Sequence, residues 1–385
     1  MPNLFAVIGG FALVVVVLWE TFETLVLPRR VTRQFRLTRF FYRCTWVPYS
    51  SLVGRRRDRK RRDALLSYYG PLSLLLLLGF WAWSLILGFA LIHYGDGASF
   101  AGNLFPSRFG NAMYLSGTTF FTLGLGDITP TSALARFVTV VEAGLGFGFL
   151  ALVIGYLPVL YQSFSRREVT ISLLDARAGS PPTAFELLHR HAGTGAHGMD
   201  AVTEVLHDWE RWSAELMESH LSYPVLAYFR SQHDNQSWIG SLTVILDVCA
   251  LAIVGLEGMC QYQARMTFAI ARHALVDLSQ VFAAPPDQDG SNNRLTPEDL
   301  VEIRHRLRSS GMNITDADGT DAELIRLRSL YEPYAISLAR YLRLDLPPWI
   351  RHEAAKDNWQ TTAWRQRHSM SHSHSPGLSA PDEHF

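Results

Sequence analysis

Three stretches dominate this chain. Leu4 to Leu27, Pro71 to Tyr94 and Ala133 to Phe164 are almost wholly apolar. Each reaches the roughly 20 residues that a helix needs to cross a hydrocarbon core of about 30 Å. Inside lipid every backbone N–H and C=O must find a partner within the protein, and a helix supplies those partners from its own ladder. The fold class expected is therefore an all-α membrane protein with three transmembrane helices. Few charges interrupt these stretches. Glu20 and Glu23 lie three apart, on one helix face, near the end of the first; Arg136 and Glu142 fall within the third. Ionisable groups at membrane depth are functional candidates. For Glu20 and Glu23 the favoured expectation is interfacial pairing with Arg29, Arg30 or Arg33. Glu142 either pairs with Arg136, holds the back of the loop that precedes it, or faces a cavity where it would attract cations.

Charge placement gives the orientation. The formal net charge is zero, yet arginine crowds Arg29 to Arg62, with Arg33, Arg36, Arg39, Arg43 and the run Arg55 to Arg62. Basic residues mark the cytoplasmic side, so the N-terminus is expected outside, the second span returns outward, and the third ends inside at Arg166-Arg167. Beside membrane spans, the nearest partner for this basic loop is the anionic lipid headgroup, not a nucleic acid. The Arg33/Arg36 spacing among Phe35, Leu37, Phe40 and Phe41 suits an interfacial helix. A voltage sensor would need those arginines inside an apolar span, and the loop is too polar for that. Trp81 and Trp83 sit mid-span, where packing is their expected role. The first segment lacks a basic leader and a small-residue cleavage site, so no cleaved signal peptide is expected.

Between the second and third spans lies Thr118-Thr119-Phe120-Phe121-Thr122-Leu123-Gly124-Leu125-Gly126-Asp127. A cation that sheds its water needs a ring of oxygens. Consecutive backbone carbonyls can supply them, through dihedrals that residues with a Cβ resist and glycine accepts. Gly124 and Gly126 meet that need. Leu123 and Leu125 are expected to turn their side chains outward into the surrounding protein, Thr122 to add a hydroxyl at the inner end, and Asp127 to stand at the mouth. Asn111 to Phe121 is long enough for a short re-entrant pore helix, and Gly95 to Gly110 forms an extracellular turret.

The string Thr122 to Asp127, with its flanking spans, resembles the selectivity filter of the potassium-channel pore-loop family, whose signature is Thr-Val-Gly-Tyr-Gly. The resemblance covers Pro71 to Phe164, the two-transmembrane type, to which this chain adds an N-terminal helix. It implies potassium binding at Thr122, Leu123, Gly124 and Leu125, with Gly126 completing the filter. One filter per chain then implies a homotetramer. Two positions depart from the signature. Leu123 for Val is mild, whereas Leu125 for Tyr removes a ring and hydroxyl that could brace the filter, which keeps open a weakly selective cation channel. A non-conducting membrane sensor on the same scaffold is the other alternative. Gly144, Gly146, Gly148, Gly155 and Pro158 suit either a hinge and gate or close helix packing. The family's hinge glycine falls near Gly146 by resemblance.

The remainder, 165–349, patterns as a cytoplasmic helical regulatory domain, with a low-complexity tail over 350–385. The domain order expected is 1–28, first helix; 29–70, basic loop; 71–164, pore; then these two. Ala184 to His191, Ala201 to His220, a helix opening at Thr296-Pro297, and Asp321 to Leu342 have helical spacing. Trp238 to Cys260 is read as a buried helix, because Asp247 at a bilayer centre would cost roughly 2.5–3.5 kcal/mol. Gly193 to Gly198 is read as a loop rather than a dinucleotide fingerprint, since no strand precedes it. Thr315 to Gly319 lacks the calcium-loop ligand order. The histidines at 189, 191, 197 and 207 and the cysteines at 44, 249 and 260 form no ligand pattern; Cys249 and Cys260 are read as two buried thiols of one helix. Pro285 to Asn293 is a polar linker. No catalytic constellation, no cofactor and no identifiable cytoplasmic ligand emerges, so the chain is not read as an enzyme. A bacterial inner membrane is the expected location.

Overall fold

The computed structural model describes residues 3–27, 37–97, 100–192, 196–233, 235–256, 259–288, 293–312, 314–315 and 319–352. Arg29, Arg30, Arg33 and Arg36, and the tail from Lys356 onward, lie outside the described residues. The protein is an all-α membrane protein with one short β-ribbon, and it divides into two units. The first is Met1–Arg166 with Glu215–Arg230; the second is Arg167–Ala214 with Ser231–Phe385.

The first unit opens with α1 (Leu4–Thr21), which closes in a π-helical turn at Phe22–Val26, and α2 (Leu37–Gly54). Then come α3 (Arg59–Gly95), β1 (Phe100–Ala101), α4 (Arg108–Phe120), β2 (Thr129–Pro130) and α5 (Ala133–Ala178), which runs on past the unit boundary. The helices α1, α3 and α5 are long and apolar enough to cross a membrane. The first helix lies along α3 through facing glycines: a Cβ on Gly88 would stand 2.7 Å from Val14, and one on Gly10 would run into the Gly88 carbonyl. Small residues allow such close approach where lipid removes the hydrophobic drive to associate. Glu20, buried at the end of α1, accepts the Thr38 N–H at 2.9 Å and the Thr38 hydroxyl at 2.6 Å. It thereby supplies, from another helix, an acceptor for an otherwise unpaired N–H in the first turn of α2. Trp19 donates to Glu23 at 2.7 Å. The region 29–70 is thus no plain loop, since α2 and the basic start of α3 occupy much of it. Trp81 is buried as expected; Trp83 is not, being 55% exposed.

Glu215–Arg230 joins the first unit through a 3-10 turn at Pro224–Tyr228. Tyr228 stacks on Tyr42 at 5.2 Å and meets Trp46 and Tyr69 at 5.1 and 5.3 Å. Phe229 reaches Tyr161 and Phe164 of α5 at 6.1 and 5.6 Å.

The second unit holds α6 (Ala184–Ala192), the greater part of α7 (Ala196–Ser222), α8 (Trp238–Gly255), α9 (Gln261–Val281), α10 (Pro297–Ser309), α11 (Thr320–Ser329) and α12 (Glu332–Leu342). Its centre is α8. That helix too is long and apolar enough to span a membrane, but 83% of it is buried within the protein, against 11% for the apolar window of α5. Asp247 on α8 is fully buried and paired with Arg294 at 2.6 Å, while Tyr331 donates to it and Glu332 holds the other side of Arg294 at 3.4 Å. Several expectations change here. Asp321 to Leu342 is two helices, broken at Tyr331, whose hydroxyl is committed to Asp247, and restarted near Pro333, which lacks an N–H. Ala196 to Gly198 open α7 instead of forming a loop, while Gly193 to Gly195 lie outside the described residues. Cys260 is not on α8: Gly255 ends that helix at φ 149°, and Cys260, exposed, caps α9. Within the polar linker Asp287 is fastened, its N–H to the Pro333 carbonyl and its carboxylate to Arg340 at 2.9 Å.

Candidate functional site

Ser107 caps α4 by accepting the Gly110 N–H at 3.0 Å, and the helix runs three residues further upstream than the sequence suggests. At its far end the chain does not leave freely. The Thr118 carbonyl accepts the Leu123 N–H at 2.8 Å and the Gly124 N–H at 3.4 Å, and the Thr119 carbonyl accepts the Thr122 N–H at 2.9 Å. The loop is therefore folded back on the last turn of α4. Thr122, Gly124 and Gly126 have φ of 57°, 57° and 79°, alternating with Leu123 and Leu125, which lie outside that region. Alternation of right- and left-handed residues points successive N–H groups to one side and leaves the carbonyls together on the other. Two glycines take the left-handed region freely. Thr122 does so at a cost on the order of 1–3 kcal/mol, a strain that local structure must hold.

The outer end has its own fastening, which sequence reasoning missed. Tyr114 on α4 donates its hydroxyl to Asp127 at 2.7 Å. The turret is not irregular throughout: Phe100 pairs with Pro130 and Ala101 with Thr129, so β1 and β2 tie it to the chain just after Asp127. Gly102 is required there, at φ 92°, because a Cβ would collide with the Asp127 carbonyl. Buried Asn111 accepts the Leu104 and Phe105 N–H groups at 3.1 and 2.9 Å, pinning the turret to α4. The aromatic hydroxyl absent at Leu125 thus has a counterpart at Tyr114. An aromatic residue in the expected pore helix was the available signal.

Behind α4 the third helix supplies Glu142. Its carboxyl group bonds Ser116 of α4 and stands 3.2 Å from His93 Nε2 of α3, with all three side chains buried. Of the sequence alternatives, pairing with Arg136 does not form: Glu142 holds α4 at Ser116, and Arg136 instead donates to the Pro130 carbonyl at 3.1 Å. Helix α5 continues unbroken through Gly144, Gly146, Gly148, Gly155 and Pro158. These glycines are not alike. A Cβ on Gly146 would lie 2.8 Å from the Phe120 carbonyl carbon and nearer still to its oxygen, whereas at Gly144, Gly148 and Gly155 no atom of the described residues outside the local helix backbone lies within 4 Å. Gly146 is where α5 crosses the end of α4.

Leu123 and Leu125, expected to pack into surrounding protein, are 63% and 62% exposed and find no cover among the described residues, and neighbouring Phe121 is 60% exposed. Exposed Phe137, Val140, Phe147, Leu150 and Ile154 continue the apolar surface along α5. No group of three or more His, Cys, Asp or Glu able to hold a metal lies among the described residues.

Comparison with known proteins agrees with this geometry. Residues 76–162 match the family model described as "Ion channel". The chain is also 28% identical, over 203 residues, to the uncharacterized membrane protein YdjJ of Bacillus subtilis; the match covers 52% of this chain and 57% of that protein. The chain thus spans less than two thirds of that relative's length. No solved structure matches it at comparable significance. Residues 76–162, running from within α3 to within α5 with α4 and its folded-back loop between them, carry a two-transmembrane pore-loop ion-channel domain.

Proposed function

We propose that this protein conducts potassium passively across a bacterial inner membrane, as a homotetramer in which the carbonyls of Thr122, Leu123, Gly124 and Leu125 line the axis. The N-terminus lies outside and the helical unit in the cytoplasm. The observation that carries this reading is the left-handed backbone at Thr122, Gly124 and Gly126, held against the last turn of α4. Such a backbone gathers carbonyls on one side, which is what a dehydrated cation requires. The C-terminal end of α4, with its partial negative charge, adds favourable potential for a cation at the inner end of the loop. One loop forms a quarter of a ring. Exposed Phe121, Leu123 and Leu125 and the uncovered face of α5 fit burial by three further copies. Conduction is gated along α5, where Gly144, Gly148 and Pro158 provide freedom and Gly146 the crossing point, with the helical unit as regulator.

The reversal potential of reconstituted full-length protein under opposed potassium and sodium tests this. A value near the potassium limit is expected. A value near zero would replace the reading with a weakly selective cation channel, which Leu125 favours. Silence would leave a membrane sensor.

A further inference from the structure

Glu142, Ser116 and His93 join all three helices of the channel domain in one dry cluster, each side chain exposed by 1% or less. The donor count within it is restrictive. Ser116 Oγ carries one hydrogen, and it lies 2.8 Å from the Ile86 carbonyl oxygen, which can only accept. It also lies against Glu142 Oε1. If Glu142 were ionised, two acceptors would compete for one hydrogen, and two oxygens would face each other unbridged. A neutral Glu142 removes the conflict. Its O–H donates to Ser116, Ser116 donates to Ile86, and Glu142 Oε2 accepts from His93 Nε2–H at 3.2 Å. Every group is then satisfied and no charge is buried. The alternative, an imidazolium beside a carboxylate, requires two desolvated ions and still leaves Ser116 one hydrogen short.

The cluster reaches the filter by a short route. Ser116 lies half a turn before Thr118, whose carbonyl holds the Leu123 and Gly124 N–H groups. A displacement of α4 at Ser116 therefore displaces the acceptor that sets the filter backbone. We infer that Glu142, as the neutral acid, is a positioning residue for ion selectivity, acting through Ser116 on Leu123 and Gly124. This rests on the conduction reading above.

The test uses full-length protein with Glu142→Gln, Glu142→Ala and Ser116→Ala, each checked for assembly and measured for potassium flux and the potassium-to-sodium permeability ratio. Glutamine reproduces the neutral acid, donating its amide to Ser116 and accepting from His93. Glu142→Gln is expected within about two-fold of wild type, while Glu142→Ala and Ser116→Ala lose selectivity by about ten-fold, the scale of one buried hydrogen bond. If Glu142→Ala does not assemble, Ser116→Ala, which removes one hydroxyl, makes the same comparison. Selectivity lost equally in Glu142→Gln and Glu142→Ala would show that the ionised carboxylate is used. Selectivity retained in all three would show that the cluster does not position the filter. Either result overturns the inference while leaving conduction intact. Infrared difference spectra give a readout independent of conduction. A protonated-carboxyl C=O band present in wild type and missing from Glu142→Gln is expected, and its absence from wild type overturns the inference even if the protein carries no current.

Discussion

Gly146→Ala separates packing from hinging at the position where α5 meets the pore helix. Alanine is the better helix former by about 1 kcal/mol, so an exposed helical glycine should gain stability from the change. At Gly146 the added methyl would lie 2.8 Å from the Phe120 carbonyl carbon and 3.0 Å from its Cα, where ordinary contact begins at 3.4 Å. The Phe120 carbonyl oxygen lies nearer still, so one helix must withdraw by more than about 0.6 Å, and both partners are backbone, so no rotamer relieves the overlap. Overpacking of this kind costs about 1–3 kcal/mol. After the propensity gain is subtracted, a net loss of up to about 2 kcal/mol remains, up to roughly 30-fold in the population with α4 seated. Phe120 is followed directly by the loop that carries Thr122, so the loss should appear in both thermal unfolding of the purified assembly and potassium flux. Gly148→Ala is the control, because no atom of the described residues outside its own turn of helix lies within 4 Å of the added methyl. Equal unfolding temperatures for the two variants would refute the packing argument. A Gly146→Ala protein as stable as wild type but slow to open would return the residue to the hinge role.

Gly124→Ala should abolish potassium flux while the protein still assembles, because φ 57° costs a residue with a Cβ roughly 1–2 kcal/mol and the loop would move to avoid it; unchanged flux would remove Gly124 from the conduction path. Tyr114→Phe deletes the hydroxyl on Asp127 and should lower the potassium-to-sodium permeability ratio; an unaltered ratio would mean that Asp127 needs no brace. Arg294→Met strands a fully buried Asp247 and should lower stability by about 3–5 kcal/mol, measured as a fall in Tm. Adding Asp247→Leu to that variant should restore part of the loss. A double variant no better than the single would show that the cost lies in packing, not in the stranded charge.

The channel domain was legible because its demands are local. Glycine at 124 and 126 announces a backbone conformation, and length with low polarity announces spans, without any need to know what touches what. Contacts between distant residues left weaker traces. Glu142 stood out as an acid in an apolar helix, yet its choice among three partners depended on the crossing of α3, α4 and α5. Tyr114 was visible as an aromatic in the expected pore helix, but its partner Asp127 lies 13 residues on. The β-ribbon is two residues long on each strand, too short for any periodic signal. In the second unit, the helix carrying Asp247 was read as buried, and it is, but Arg294, which pairs with Asp247, lies 47 residues away. The break near Tyr331 was hidden because the helical spacing continues through it, although Pro333, which lacks an N–H, sits in the first turn of the second helix.

The channel unit is discontinuous in sequence, and this alters how its autonomy can be judged. Residues Glu215–Arg230 complete it after an excursion through the second unit. Tyr228 fills a cluster with Tyr42, Trp46 and Tyr69, and Tyr223 meets Tyr156 of α5 at 5.5 Å. A Cβ on Gly70 would lie 2.8 Å from the Phe229 ring, so that glycine exists to admit it. Arg230 adds an ion pair with Asp63 at 3.5 Å. Aromatic pairs contribute about 0.5–1.5 kcal/mol each beyond the area they bury, and several meet here. A chain ended after Arg167 would strip this cover from Tyr42, Trp46, Tyr69 and Tyr156. Its silence would report a damaged channel unit, not the loss of a regulator. A fair deletion must keep Glu215–Arg230, and it faces a further constraint: α7 is one unbroken helix whose first part belongs to the second unit and whose last eight residues, Glu215 to Ser222, belong to the first. Any excision that shortens α7 changes where Tyr223 and Phe229 are delivered. Point substitutions at Tyr228 or Phe229 therefore test how this segment completes the first unit more cleanly than truncation can.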